Sequence, residues 1–208
     1  FEKYLCHWTE EMHRYKKDLD CCSNWSYTTM MPKPKVAEVD MISGDFDPFL
    51  SVDRARTECR YLQNTGLPWE LQSWAFDCIQ DQDECVKMPD QIKQEAAVVM
   101  MHGGGYMNYY LPTRGGYIND QIINTAKEIS KFCFARKEFS YQSTPVPQVA
   151  VLYPAENQLR RSDRLYAWWG HPLIEVEGVL HAMLESQYSC DVMAEHQIID
   201  RMSDYPYI

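Results

Sequence analysis

Short apolar strand candidates alternate along the chain with helix candidates that carry one apolar face. The strand candidates that precede residue 140 are residues 23–27, 36–42, 68–76 and 106–111. The helix candidates begin at Phe1, Ser51, Asp90 and Asn119 or Asp120. Strands and helices at this spacing indicate parallel βα units, which occur both in closed barrels and in open doubly wound sheets.

Polar and aromatic side chains gather where the strand candidates end. They are Asn24 and Trp25, Asp45 and Asp47, Trp74 and Asp77, and Tyr109, Tyr110 and Thr113. In (β/α)8 barrels the active site is built at the carboxyl ends of the strands. We therefore favour a partial (β/α)8 TIM barrel over an open sheet for residues 1–143.

A second α/β domain is predicted after a proline-containing linker at residues 143–147. Its strand candidates are residues 148–153, 190–193 and 205–208. Its main helix candidate carries Leu173, Val176, Leu180 and Leu184 on one face. We expect residues 144–208 to be the start of a flavodoxin-like α/β domain.

The charge balance excludes several classes of partner. The chain of 208 residues has a formal net charge of −10 and a pI of about 5.0. This argues against nucleic acid, because phosphates require a basic surface, and against an anionic membrane. No apolar run approaches the ~20 residues of a membrane span, and we recognise no signal peptide.

The cysteines indicate neither a metal site nor a disulfide framework. Eight are present, but no two are spaced as CxxC, so a structural zinc site is not expected. We predict that neither a metal nor an organic cofactor is required. Free thiols favour a reducing compartment, and so the cytoplasm over the periplasm or secretion, although the localisation stays open.

Several sequence phrases occur together along most of the chain. They include Asn24-Trp25, Val39-Asp40-Met41-Ile42-Ser43-Gly44-Asp45-Phe46, Pro68-Trp69-Glu70-Leu71, and Gly103-Gly104-Gly105-Tyr106 followed by Tyr109-Tyr110-Leu111-Pro112. In sum these phrases resemble bacterial α-L-fucosidase-like glycoside hydrolases. Residues 103–116 are also similar to the last barrel strand of glycoside hydrolase family 29. Residues 149–153, 177–182 and 191–196 resemble the start of a glutamine-amidotransferase-like domain, also called the β-galactosidase trimerisation type.

The resemblance implies that the four strands before residue 140 are barrel strands five to eight. In family 29 the nucleophilic Asp ends the fourth strand, so the nucleophile is expected upstream of Phe1. Relatives read Pro-Trp-Asp where this chain has Pro68-Trp69-Glu70. We expect a longer parent chain or a homo-oligomer, because half a barrel leaves strand edges unpaired.

Asp45 and Glu70 are the candidate catalytic carboxylates. Retaining glycosidases use two such groups, one as nucleophile and one as acid/base. Asp45 stands at a strand end, where the alternative role is to stabilise a turn. Glu70 shares a strand face with Trp74, and its alternative role is a buried ion pair with Arg56 or Arg60.

Asn24, Trp25, Trp74, Tyr109 and His102 are the candidate substrate-binding residues. Aromatic rings stack on the apolar faces of sugars, whereas the alternative for each tryptophan is a place in the barrel-rim core. Neighbouring tyrosines alternate in direction, so of the pair at 109 and 110 we expect Tyr109 to face the site. The alternative for His102 is a hydrogen bond within its loop.

Two hypotheses from different classes follow. The first is a retaining, α-L-fucosidase-like glycoside hydrolase that acts on a carbohydrate substrate through Asp45 or Glu70 together with an upstream Asp. The second is a catalytically silent carbohydrate-binding or assembly module. The glycines at 103–105 do not indicate a phosphate loop, because they precede a strand, whereas phosphate loops follow a strand and open a helix.

Overall fold

The computed structural model describes residues 1–46, 48, 50–77, 85–162 and 174–208, and it is a mixed α/β structure with parallel sheets. The helices are α1 (Glu2–Tyr15), α2 (Ser51–Leu62), α3 (Pro89–Met101), α4 (Asp120–Phe134), α5 (Lys137–Ser140), α6 (Ala155–Arg161), α7 (Ile174–Glu185) and α8 (Glu195–Ile198). The strands are β1 (Ile42–Asp45), β2 (Trp69–Trp74), β3 (Phe76–Asp77), β4 (Cys85–Val86), β5 (Gly105–Tyr109), β6 (Val149–Tyr153) and β7 (Cys190–Ala194).

Three sheets organise these strands. The first has the order β1-β2-β5, in which β2 and β5 are parallel and Trp74 lies opposite Tyr109. The second joins β6 and β7 in parallel, and the third is the short antiparallel pair of β3 and β4. The parallel pairing of β2 with β5, with α3 between them in sequence, confirms the predicted βα alternation.

The chain divides into two compact units. The first unit comprises Phe1–Gly44, Arg60–Trp69 and Pro145–Ile208, and the second comprises Asp45–Cys59 and Glu70–Thr144. The chain leaves the second unit after Thr144, at the proline-containing segment. The division into domains of residues 1–143 and 144–208 stays a prediction.

The core of the second unit lies where α3 and α4 cover the sheet. Ala75, Ile92 and Ile129 form a buried cluster against which Tyr106 and Tyr110 pack. The predicted apolar stripe of α4 is confirmed, and so is its start. The side chain of Asn119 caps the helix by accepting from the N–H of Ile122 at 2.9 Å.

The core of the first unit lies around β6 and β7. Ala150, Met193, Ile198 and Tyr205 form a buried cluster. The hydroxyl of Tyr205 donates to the Asp191 carboxylate at 2.6 Å, so a buried acidic group on β7 is matched by a donor. The predicted strands at 148–153 and 190–193 are confirmed to within a residue.

The strand predicted at residues 36–42 is wrong in position, because β1 begins only at Ile42 and continues to Asp45. Ala37 and Val39 are buried, as their apolar character indicated, but without strand pairing. The Tyr27 hydroxyl lies 3.2 Å from the Ala37 nitrogen and accepts from its N–H. The N–H of Asp40 donates to the carbonyl of Cys21 at 2.9 Å, so neither of these N–H groups takes part in strand pairing.

Two other strand predictions reduce to isolated bridges. Residues 23–27 contribute one parallel bridge, Asn24 to Ser43, and the chain then turns with positive φ at Trp25 and Tyr27. Near the end of the chain, Tyr207 forms one parallel bridge to Val149. At residues 23–27 the turn limits the pairing that the sequence pattern favoured.

Ser51 and Asp90 were expected to cap α2 and α3, and the first turns of these helices differ from that expectation. α3 begins at Pro89 with Met88 as its N-cap, so Asp90 is a first-turn residue and not the cap. Proline suits the first helical position, because its missing N–H would have no partner there. Ser51 begins α2 as expected, but its hydroxyl donates to Glu95. Leu173 and Asp47 lie outside the described residues.

None of the helices in the described part of the chain is both long and apolar enough to cross a bilayer.

The end of α3 depends on a glycine. Gly103 has a φ of +80°, and the N–H of Gly104 bonds to the carbonyl of Val99 at 3.3 Å. A Cβ on Gly103 would lie 2.4 Å from the carbonyl oxygen of Ser143. Gly103 therefore serves a helix end and a close approach of two backbone segments.

We predict that Gly103→Ala lowers the free energy of unfolding more than Gly116→Ala does. Gly116 has a φ of +76°, so both variants lose about 1–2 kcal/mol from a left-handed alanine. A Cβ at Gly116 meets no described atom within 4 Å, whereas at Gly103 it collides with backbone. Urea denaturation measures both, and equal losses in the two variants would contradict the close contact.

Candidate functional site

The two faces of β2 differ as the alternation predicts. Leu71 and Ser73 are buried, whereas Glu70, Gln72 and Trp74 are partly exposed on the other face. The buried face lies against α3, because the Ser73 hydroxyl contacts Glu95 of that helix. The opposite face is therefore the one on which a ligand can meet strand side chains.

Asp45, Trp74 and Tyr109 converge at one end of this face. The indole Nε1–H of Trp74 donates to Oδ2 of Asp45 at 3.3 Å. The rings of Trp74 and Tyr109 meet edge to face, with centroids 6.1 Å apart. Asp45 is largely buried, whereas Tyr109 is 42% exposed. A carboxylate held by an indole thus stands beside an accessible aromatic ring.

Phe76 extends this group, although the sequence did not single it out. Its ring stacks on Trp74 with centroids 5.2 Å apart, and it meets Tyr109 edge to face at 5.4 Å. We call Asp45, Trp74, Phe76 and Tyr109 the Trp74 patch. The alternation of side chains along a strand could have predicted this position, because Phe76 is two residues beyond Trp74 and falls on the same side of an extended chain.

Glu70 and His102 lie away from the Trp74 patch. Glu70 is paired with Gly105 at the start of β2, about 13 Å along the strand from Trp74 at ~3.3 Å per residue. His102 is buried at the C-terminus of α3, before β5, whereas Tyr109 ends β5. Of the two candidate carboxylates, Asp45 is therefore the one at the carboxyl end of the strands.

Asn24 and Trp25 belong to the first unit. Asn24 is exposed at its bridge to Ser43, and the N–H of Trp25 donates to the carbonyl of Ser43 at 2.9 Å. Trp25 adopts a φ of 67°, a left-handed conformation that is uncommon for a large residue. Its ring is half-buried.

Tyr110 turns away from Tyr109, as the alternation of neighbouring residues predicts. It packs against the cluster of Ala75, Ile92 and Ile129, and burial raises the pKa of its hydroxyl to about 12. Such a group stays protonated at neutral pH and acts as a core residue.

A buried charged cluster supports β2 from its other side. Glu95 of α3 has no solvent exposure, and Lys87 Nζ lies 2.9 Å from its Oε1 atom. The hydroxyl of Ser51 donates to the same oxygen at 2.5 Å, and that of Ser73 donates to Oε2. One carboxylate thus accepts from α2, from β2 and from the segment before α3.

The same polar layer continues to β5. The side-chain amide of Asn108 donates to the carbonyl of Ser73 at 3.3 Å, and the hydroxyl of Tyr106 lies 3.4 Å from the carbonyl of Ile92. Burial raises the pKa of Tyr106 well above its usual value, and the carboxylate of Glu95 adds to this. The sheet is thus joined to α3 through polar as well as apolar contacts.

Comparison with known proteins shows a shared fold but no family. The sequence matches no protein-family model and no curated protein. Among solved structures, α-L-fucosidase isoenzyme 2 from Paenibacillus thiaminolyticus is 16% identical with a TM-score of 0.60, over 74% of this chain and 22% of that chain. Gan42B, a GH42 β-galactosidase, is 18% identical with a TM-score of 0.58, over 80% of this chain and 28% of that chain. The chain spans about a quarter of the length of these glycosidases and shares their fold over that part.

We predict that Glu95→Gln lowers the free energy of unfolding by about 3–5 kcal/mol, because it leaves the Lys87 charge buried without a counter-ion. Glu128→Gln is the matched control, since the Glu128 side chain is 51% exposed and pairs with Lys93. Its loss should stay below about 1 kcal/mol. Urea denaturation measures both variants. A loss for Glu95→Gln as small as that of the control would mean that the buried cluster contributes little to stability.

Proposed function

We propose that this chain is part of a retaining, α-L-fucosidase-like glycoside hydrolase that acts on a carbohydrate at the Trp74 patch. The observation that carries the proposal is the hydrogen bond between Trp74 and Asp45 beside the exposed ring of Tyr109. Carbohydrate sites combine these two elements, because a sugar offers hydroxyl groups to a carboxylate and an apolar ring face to an aromatic residue. The glycosidase structures that share the fold support the same class of reaction.

Asp45 is the residue to which we assign the acid/base step. In the first step it gives a proton to the glycosidic oxygen as the bond to the sugar breaks, and in the second it takes a proton from water. The indole of Trp74 holds the carboxylate in one orientation, which limits the reorganisation that each transfer needs. Tyr109 provides the stacking surface.

The nucleophile in this proposal is a second carboxylate from a longer parent chain or from a second copy of this chain. It would stand ~5–5.5 Å from the acid/base group, as in other retaining glycosidases. The assignments of Asn24, Trp25, Glu70 and His102 to the site stay predictions from the sequence, and Glu70 has the weaker claim because it lies at the far end of β2 from Trp74. We also propose that residues 144–208 begin a glutamine-amidotransferase-like domain.

A carbohydrate-binding module without catalysis is the second candidate. One observation favours it: only one of the two predicted carboxylates, Asp45, lies at the Trp74 end of β2. A single carboxylate beside aromatic rings binds sugar hydroxyls without cleaving the glycosidic bond.

The test of the enzymatic proposal is hydrolysis of an aryl α-L-fucoside and an aryl β-D-galactoside by the full-length protein. We expect Asp45→Asn to lower kcat/KM for the fucoside by about 100- to 10,000-fold, the usual contribution of acid/base catalysis. The loss should be smaller for a fucoside with a more acidic phenol, whose departure needs less protonation. Asp53→Asn is the matched control, since Asp53 is a partly exposed residue of α2 paired with Arg56.

Three results would decide between the candidates. Unchanged activity in Asp45→Asn removes the acid/base assignment. Binding of L-fucose without hydrolysis, weakened about tenfold by Tyr109→Ala and unchanged by Tyr117→Ala, supports the binding module. Tyr117 is suitable as the control because it is exposed and follows β5 outside the patch. Absence of both binding and hydrolysis contradicts both candidates.

A further inference from the structure

Three side chains with metal-binding chemistry meet in the first unit, independently of the proposed function. His13 stands in the last turn of α1, Cys21 follows that helix, and Asp40 precedes β1. The ligand atoms that they offer, a ring nitrogen, Sγ and a carboxylate oxygen, all lie within 4.8 Å of one another. Cys21 follows His13 by 8 positions and Asp40 follows Cys21 by 19, and the fold brings these three side chains together.

The contacts around this point are short and mutual. Oδ2 of Asp40 lies 3.0 Å from Nε2 of His13 and accepts from the backbone N–H of Cys21 at 2.8 Å. The carbonyl oxygen of Leu19 lies 3.2 Å from the same ring nitrogen and 3.4 Å from Sγ of Cys21. Four potential donor atoms therefore surround one small volume.

The 3.0 Å between Nε2 of His13 and Oδ2 of Asp40 is close to the ligand separation of a tetrahedral zinc site, and Sγ of Cys21 lies within 4.8 Å of both ligands. With Zn–S of about 2.3 Å and Zn–N and Zn–O of about 2.0 Å, ligand atoms stand roughly 3.3–3.6 Å apart. The set of sulfur, imidazole nitrogen and carboxylate oxygen is typical of Zn²⁺ and excludes Mg²⁺ and Ca²⁺, which select oxygen. Cys21 is buried, whereas the Asp40 side chain is 40% exposed, so an ion has a route from solvent.

We propose that His13, Cys21 and Asp40 form a binding site for Zn²⁺ or a similar thiophilic divalent cation, with water or the Leu19 carbonyl as fourth ligand.

Metal binding at this site requires no oxidant or reductant, because only protons are displaced from the ligands. When the metal binds, the S–H bond of Cys21 breaks, its proton passes to the buffer and a sulfur–metal bond forms. A thiol is ordinarily protonated at neutral pH, so Cys21 is the source of the released proton. Nε2 of His13 faces two oxygen acceptors, the Asp40 carboxylate and the Leu19 carbonyl, so its proton must move to Nδ1 before Nε2 can offer its lone pair to the metal. Asp40 binds as a carboxylate, the ordinary state of an aspartate at neutral pH.

Cobalt is the probe, because Co²⁺ occupies zinc sites and a thiolate ligand gives it a charge-transfer band in the near ultraviolet. Titration of the reduced 208-residue chain should give this band with one cobalt bound per chain, about one proton released, and displacement by Zn²⁺. Cys21→Ser should abolish the band. His13→Ala should weaken binding by about 100-fold or more, since even residues behind the ligands cost up to that much.

Cys22→Ser is the matched control, because Cys22 is the adjacent residue and is exposed. It should leave the band and the affinity unchanged. A band that persists in Cys21→Ser, that disappears in Cys22→Ser or that never forms in the parent chain overturns the proposal.

A second measurement needs no variant and covers the case in which a substitution prevents folding. The parent chain is alkylated with and without Zn²⁺, and the modified cysteines are identified by peptide mass mapping. We expect Zn²⁺ to protect Cys21 while Cys22 reacts equally in both samples. Equal labelling of Cys21 with and without Zn²⁺ contradicts the site and supports a simple ion pair of His13 with Asp40.

Discussion

A carboxylate that water does not reach must be matched by donors, and in the second unit this requirement falls on Glu95. Its two oxygens receive the Lys87 ammonium group and the hydroxyls of Ser51 and Ser73. Loss of one donor would leave charge or a polar atom buried in an apolar layer, which costs several kcal/mol. The start of α2, the end of β2 and the start of α3 are therefore held in one arrangement. Trp74, which follows Ser73, takes its position from this cluster.

The two faces of β2 consequently differ in what they contact. The face that carries Ser73 packs against α3, and a ligand could bind there only by disrupting the buried cluster. The other face presents Trp74 and, across the strand pair, Tyr109, with Asp45 held by the indole. A site that binds and orients a substrate needs such a rigid support, because small displacements of an acid/base group cost much of its effect. The proposed carbohydrate site is thus built on strands and not on a loop.

The sequence predicted those elements whose signal is local. The alternation of β2, the stripe of α4 and the cap at Asn119 each depend on residues within a few positions, and all three are present. The strand predicted at residues 36–42 is wrong because its apolar pattern reports burial only. The N–H groups of Val36 and Ala37 donate to the hydroxyl of Tyr27, nine and ten residues away, and not to a strand. Burial and strand pairing are separate properties, and the apolar pattern of the sequence predicts only burial.

The sites that the sequence missed are made by long-range contacts. Glu95 meets Ser51 from 44 positions away, which no helical or strand period reveals. His13, Cys21 and Asp40 escaped for the same reason, because a search for closely spaced cysteine pairs cannot find one ligand from each of three segments. In contrast, Asp45 and Trp74 were predicted to be neighbours because the carboxyl ends of parallel strands share an edge, a rule about topology that a sequence can carry.

Nuclear magnetic resonance of the indole N–H groups can detect a sugar that binds at the edge where Trp74 meets Asp45. Trp74 donates to Asp45 through its N–H, so a sugar hydroxyl that engages this carboxylate changes the environment of that proton. On titration with L-fucose or D-galactose, we predict that the Trp74 signal shifts and saturates. The signal of Trp8, a half-exposed tryptophan of α1, should stay in place. An unchanged Trp74 signal at sugar concentrations that saturate binding would contradict a sugar site at this edge.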